Sequence, residues 1–78
     1  MPDLIPIQFL LPGQSGFIRQ LVGVPADVHR LEERGLRIGT RVEMVQPGTP
    51  CTIQFSGGKV GFRDTTELGI LVQVGAGE

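Results

Sequence analysis

The sequence predicts a small, mainly β protein in which a barrel of five strands carries one α-helix inserted after the first strand. Two observations lead to this prediction. Twelve glycines and six prolines divide the 78 residues into short runs separated by turn signals, which is typical of small barrels. Convincing helical periodicity, by contrast, is confined to residues 25–34. Because a chain of this length can bury one core, we expect residues 1–78 to form a single domain, with residues 75–78 as a flexible tail.

The N-terminal part of the chain is predicted to be extended before the first strand begins. Residues 5–11 are mostly apolar, but Pro6 interrupts them, and Pro12 and Gly13 close the run. We therefore expect an extended segment that covers an edge of the barrel and then turns. The first strand follows over residues 16–21, and its imperfect alternation of apolar and polar side chains indicates a bulge.

The helix is predicted over residues 25–34. Pro25 suits its first position, where a missing backbone donor costs nothing, and apolar side chains recur at helical spacing on one face. Gly35 can adopt the left-handed conformation that ends many helices. Leu36 would then contact Leu31, as in a Schellman cap, so we expect the helix to end sharply at this glycine.

Four further strands are predicted after the helix. Residues 41–46 alternate apolar and charged side chains, as a half-buried strand requires. Residues 52–55 and 59–62 form the next two strands. A short helical turn over residues 64–68 precedes the last strand, residues 70–74, in which apolar side chains again alternate.

The hairpin in the middle of this region has a predicted register. The two glycines at positions 57–58 supply the positive φ values that a two-residue turn requires. Counting outward from that turn pairs Phe55 with Val60 and Ile53 with Phe62. We therefore expect all four apolar side chains on one face of the sheet.

Composition and charge disfavour several classes of function. Seven Lys and Arg against eight Asp and Glu give a net charge of -1, which lacks the positive field that binding to nucleic acid requires. A single cysteine cannot form an intramolecular disulfide, and neither a secretory leader nor a long apolar run is visible. We therefore expect a cytoplasmic protein that binds no nucleic acid and does not insert into a membrane.

The candidate chemical groups are few. His29, Glu32 and Glu33 lie three and four residues apart on the predicted helix, a pattern more typical of a solvated face than of a metal site with further ligands missing. Cys51 has no basic neighbour to stabilise a thiolate, so we expect it to be a small buried hydrophobe. No spacing of residues indicates a catalytic triad or a phosphate-binding loop. We therefore expect that the protein is not an enzyme and that it has no cofactor and no metal site.

The residues around the predicted helix end resemble those of a known family. The combination consists of a turn near the start and a run at the end of the helix: Leu11, Pro12, Gly13, Arg30, Leu31, Gly35, Leu36, Arg37, Ile38 and Gly39. With these residues, and over residues 5–74, the sequence resembles the FeoA family. The resemblance implies an SH3-like five-stranded barrel with a helix after the first strand. It also implies a cytoplasmic accessory of FeoB, a ferrous iron transporter of the membrane with a cytosolic G-protein domain.

The resemblance implies binding to a partner protein, and we expect the contact at the end of the helix. The expected partner-binding residues combine apolar side chains with arginines: Leu36, Arg37, Ile38, Arg34 and Arg41. Such a mixture suits an interface with an apolar centre and a charged rim. Arg34 departs from the family, which often has a leucine before the glycine, so the choice of partner can differ here.

Two other functions remain open. Similar barrels serve as SH3-like regulatory modules of metal-dependent transcription repressors, although this sequence contains no helix-turn-helix segment. Alternatively, the chain is a structural module that associates with itself into a homo-oligomer through open strand edges. The leading hypothesis is a non-enzymatic accessory protein that contacts the cytoplasmic portion of a FeoB-like transporter.

Overall fold

The structure is a computed structural model that describes residues 3–63 and 68–74. These residues form six strands and one α-helix: β1 (Asp3–Pro6), β2 (Ser15–Gly23), α1 (Pro25–Glu33), β3 (Arg41–Gln46), β4 (Cys51–Phe55), β5 (Gly58–Phe62) and β6 (Leu68–Val74). A short 3-10 helix, Ile7–Phe9, follows β1. No helix within the described ranges is long and apolar enough to cross a membrane.

The strands form one antiparallel sheet in the order β1-β6-β2-β3-β4-β5. The mainly β class is confirmed. The described strands number six and not the predicted five, and they form an open sheet with edges β1 and β5 and not a closed barrel. The extra strand is β1, in which Ile5 pairs with Val72. Pro6 ends this strand at the sheet edge, where a proline is tolerated. The helix consequently follows the second strand of the sheet and not the first.

Strand β2 is longer than predicted and contains the predicted bulge. Its pairing with β6 shifts between Ile18 and Gln20, which leaves Arg19 as the extra residue. Before the bulge, Ile18 points into the core, whereas Phe17 points to the opposite face and is exposed. The bulge thus explains the imperfect alternation of this segment.

The helix and its cap match the prediction. The N–H of Leu36 donates to the C=O of Leu31 at 3.0 Å, and the N–H of Gly35 donates to the C=O of Glu32 at 3.0 Å. These are the two bonds of a Schellman motif, and Gly35 takes the φ of +99° that the motif requires. The cap turns the chain so that both leucines are buried together in the core.

The β4–β5 hairpin has a different register from the predicted one. Phe55 pairs with Gly58 and Ile53 with Val60, so the two loop residues are Ser56 and Gly57. Gly58 has a φ of +124° as the first residue of β5, which accommodates the tight turn one position earlier than expected. The difference is an even number of residues, so the predicted apolar face is preserved.

The core lies on one face of the sheet beneath α1. Its buried apolar members come from every part of the described chain: Ile7, Leu10, Ile18, Leu31, Leu36, Val42, Met44, Cys51, Ile53, Phe62, Ile70 and Val72. The closing strand is confirmed, since Ile70 and Val72 are buried and alternate with half-buried neighbours. The predicted helical turn over residues 64–68 and the predicted tail over residues 75–78 fall outside the described residues, except that Leu68 is the first residue of β6.

Candidate partner-binding site

The segment between α1 and β3, residues 34–40, is fixed to the sheet at its C-terminal end. The N–H of Gly39 donates to the C=O of Ile18 at 2.6 Å, and the N–H of Ile18 donates to the C=O of Thr40 at 2.9 Å. These two bonds join the segment to β2 just before its bulge. Since the Schellman cap fixes the other end, both ends of the segment are held.

Two side chains hold the interior of this segment. The hydroxyl of Thr40 donates to the C=O of Gly35 at 3.2 Å and accepts the N–H of Arg37 at 3.3 Å. The Nε of Arg37 donates to the C=O of Glu32 at 3.0 Å, which gives this carbonyl at the helix end a second donor besides the N–H of Gly35. The segment is therefore a braced loop, and it presents Ile38 to solvent with 62% of its surface exposed.

Four of the five predicted partner-binding residues lie on the surface around this loop. Arg34, Arg37, Ile38 and Arg41 are exposed. Leu36 is completely buried, at 0% exposure, so the expectation that its side chain contacts a partner is wrong. The physical reason is the cap itself, because a Schellman motif turns the residue after the glycine back onto the helix, where Leu36 meets Leu31.

Phe17, which was not among the predicted residues, belongs to the same surface. It pairs directly with Arg41 across β2 and β3, and directly paired residues project from the same face of a sheet. Phe17 is exposed although it lies in a strand. The alternation of Phe17 and Ile18 indicated that one of these two side chains is exposed. Because of the bulge at the next residue, the sequence did not indicate which one points into the core. We call Phe17, Arg37, Ile38 and Arg41 the loop surface.

Two grooves are lined by predicted arginines, and one of them adjoins the loop surface. The first, which we call the sheet groove, has a volume of about 530 Å³ and is lined by loop and strand residues that include Arg41, Glu43 and Gln54. The second, the helix-edge groove, has a volume of about 210 Å³ and lies between α1 and the end of β5. Arg34 lines the helix-edge groove, whereas Arg41 lines the sheet groove and donates to the hydroxyl of Ser15 at 3.1 Å. The predicted arginines thus face two different concave surfaces.

The remaining candidate groups lie elsewhere. His29 is exposed on α1, with its Nε2 at 3.1 Å from a carboxylate oxygen of Glu33 and its Nδ1 at 3.9 Å from one of Glu32, so it lies beside two surface carboxylates. Among the described residues, no group of three or more potential metal ligands comes together. The prediction for Cys51 is confirmed: it is buried, and its Sγ donates to the C=O of Phe62 at 3.3 Å.

Comparison with known proteins identifies relatives of this fold. The sequence profile of the FeoA domain matches residues 5–74. A crystal structure of an iron uptake regulatory protein (FeoA) has a TM-score of 0.80 at 18% identity, covering 91% of this chain and 97% of the other. The solution structure of the FeoA protein from Chlorobium tepidum has a TM-score of 0.80 at 25% identity, covering 95% of this chain and 73% of the other. No curated protein sequence matches.

Proposed function

The chain belongs to the FeoA family, and from this premise we propose that it is a non-enzymatic accessory protein of ferrous iron transport. It acts in the cytoplasm by contacting the cytoplasmic part of a FeoB-like transporter. The match to the FeoA domain over residues 5–74 is the observation that carries this proposal. One similar structure is that of an iron uptake regulatory protein, which supports the same physiological setting.

The loop surface is the part of the molecule that we assign to this contact. It combines two exposed apolar side chains, Ile38 and Phe17, with two exposed arginines, which is a composition that suits a small interface with an apolar core and a charged rim. The bracing bonds of Thr40 support this assignment. A loop that is already ordered loses little conformational entropy on binding, so more of the contact energy contributes to affinity.

The proposal gives the chain no catalytic step. Its one histidine lies on the exposed face of α1 and is paired with glutamates, so its position favours a surface role over proton transfer in an enclosed site. An accessory that acts by contact needs a complementary surface and a stable fold, and the loop surface supplies the first of these. Its effect on the transporter would follow from a difference in affinity for two states of that transporter.

A titration with two variants tests the proposal. The purified chain is titrated against the detergent-solubilised FeoB-like transporter from the same cell and against its cytoplasmic G-protein portion, with and without nucleotide. Replacing Ile38 by serine should weaken binding about tenfold, as expected when an apolar side chain at the centre of an interface is lost. Leu11 provides the control, because it is similarly exposed, at 68%, but lies at the opposite end of β3.

The outcomes separate the hypotheses. If Ile38→Ser weakens binding and Leu11→Ser leaves it unchanged, the result supports the accessory function and the assignment of the loop surface to the contact. Absence of binding to both forms of the transporter would contradict the accessory function. Light scattering on the same samples measures whether the chain associates with itself, which distinguishes a homo-oligomeric module from an accessory that binds as a monomer.

A further inference from the structure

We propose a second binding site, in which the free edge of β5 and the helix-edge groove together bind an extended acidic segment of a partner protein as an added β-strand. This site lies outside the loop surface, and the inference does not depend on the proposed function. It rests on three features of the described residues: the direction of the backbone groups of β5, the weaker protection of this edge than of the β1 edge, and the charge of the groove beside it.

The hairpin fixes the direction of the backbone groups in β5. A loop of two residues joins Phe55 to Gly58, and residues that flank such a loop form a hydrogen-bonded pair. Hydrogen-bonded and non-hydrogen-bonded pairs alternate along an antiparallel ladder. Every second residue from Gly58 onward therefore directs its N–H and C=O toward β4. The thiol of Cys51 on β4 reaches the C=O of Phe62 at 3.3 Å, in agreement with this alternation.

The two intervening residues, Lys59 and Gly61, direct their N–H and C=O away from β4. No strand within residues 3–63 and 68–74 pairs with that side of β5. Both residues are exposed. The edge therefore presents two donors and two acceptors at the spacing of a strand, which is the arrangement that an added strand requires.

The two edges of the sheet differ in their protection. The edge strand β1 has four residues and ends in Pro6, which lacks an N–H, and both features discourage strand addition. The edge strand β5 contains no proline and has a single charged residue, Lys59, pointing to the face opposite the core. Gly61 has no side chain, so nothing beyond its backbone stands at this position of the edge. We therefore place the added strand at β5.

The helix-edge groove runs beside this edge, and the residues of its lining that the structure describes carry a net positive charge. Its floor is apolar and consists of Leu31, Phe62 and Leu68. Its described lining contains three arginines, Arg30, Arg34 and Arg63, against one acidic residue, Asp27. Asp27 lies 3.7 Å from Arg30, and no other ion pair among the described residues involves these arginines.

These features define the chemistry of the occupant. The side chains of a strand alternate between two faces, so a strand on β5 would place alternate side chains into the groove. Apolar side chains would cover the floor, and carboxylates beside them would meet the arginines, which bind carboxylates in a planar, two-bond geometry. A second copy of this chain fits poorly, because antiparallel pairing of two β5 edges would bring the groove arginines of one copy, Arg63 among them, toward those of the other.

A peptide titration tests the site. The probe is a short, end-blocked peptide in which glutamate alternates with valine or leucine, and binding to the full chain is followed by fluorescence anisotropy and by amide NMR. We expect the amide resonances of Lys59 and Gly61 to shift and their hydrogen exchange to slow. We expect Arg63→Glu to weaken binding about fivefold, the size of one partly exposed ion pair. Arg19→Glu, on β2, is the matched control and should leave binding unchanged.

Two altered peptides separate the backbone contribution from the charge contribution. Replacing glutamate by lysine removes the charge complementarity, and methylating alternate backbone nitrogens removes the strand hydrogen bonds without changing the charge. Both peptides should lose binding. Equal binding of the lysine peptide, equal binding of the methylated peptide, or unchanged Lys59 and Gly61 resonances with the original peptide would each overturn the proposal. If exchange at these amides slows as the protein concentration rises, without any peptide, then the β5 edge binds a second copy of the chain. That result would also overturn the proposal.

Discussion

Alanine at Gly35 should destabilise the chain more than alanine at Gly39, although the two glycines have nearly the same backbone conformation. Their φ values are +99° and +95°. Their surroundings differ: a Cβ at Gly35 would lie 3.0 Å from Cε2 of Phe55, whereas a Cβ at Gly39 would have no heavy atom within 4 Å. The pair therefore separates the cost of the left-handed backbone from the cost of the contact with the ring.

The expected magnitudes follow from these two costs. An alanine forced into the left-handed region costs about 1 kcal/mol at either site. At Gly35 the ring of Phe55 must also move, and a small overpacking of this kind adds about 1 kcal/mol. A domain of this size loses about 6 °C of melting temperature per kcal/mol, so we expect a decrease of about 6 °C for Gly39→Ala and about 12 °C for Gly35→Ala.

Thermal unfolding followed by circular dichroism measures both decreases, and a third variant tests their cause. Phe55→Leu removes the ring, so the additional destabilisation by Gly35→Ala should largely disappear in the Phe55→Leu background. Equal decreases for the two single variants would refute the contact between Gly35 and Phe55. An unchanged melting temperature for Gly35→Ala would refute the Schellman cap itself.

Three further predictions concern the core, the loop and the cysteine. Leu36→Ala should cost about 2–5 kcal/mol in urea unfolding because the side chain is fully buried, and a cost below about 0.5 kcal/mol would contradict its place in the core. Thr40→Val removes both hydrogen bonds of the hydroxyl, so it should lower the free energy of unfolding by about 1 kcal/mol. It should also speed amide exchange at Arg37 and weaken binding to the transporter. Unchanged exchange at Arg37 would contradict the bracing of the loop. The thiol of Cys51 should react with a thiol reagent only as fast as the chain opens, and immediate labelling of the native protein would contradict its burial.

The features that the sequence predicted correctly depend on short stretches of chain. The helix end required only the relation between Leu31, Gly35 and Leu36, which are all within six positions, and the two bonds of the cap are present as expected. The faces of β4 and β5 depended only on alternation. A register error of an even number of residues did not change which side chains are buried.

The features that the sequence did not predict depend on residues that are far apart in the chain. Pairing of β1 with β6 brings Asp3 beside Val74, and neither segment alone indicates that partner. Whether a sheet closes into a barrel depends on the twist and shear summed over all strands, and no local pattern records that sum. In the hairpin, two adjacent glycines both permit a turn, so composition could not decide between them.

Only the local part of the candidate site could be predicted from the sequence. Arg37 and Ile38 follow the cap directly, so their exposure follows from a local motif. Phe17 joins them only because β2 pairs with β3 beside Arg41. Likewise, the helix-edge groove exists because α1 and the end of β5 meet in the fold, which placed Arg63 in the same concave surface as the helix arginines.

The central claim is that the loop surface contacts the cytoplasmic part of a FeoB-like transporter, and amide NMR of the isotope-labelled chain tests it most directly. On addition of that cytoplasmic part, we expect the resonances of residues 37–41 and Phe17 to broaden first. The resonance of Gly48, beyond the opposite end of β3, should retain its intensity at the same protein ratio. Selective broadening of the loop surface is the result that the account predicts, and an unchanged spectrum at saturating concentrations, or broadening centred on Gly48, would contradict it.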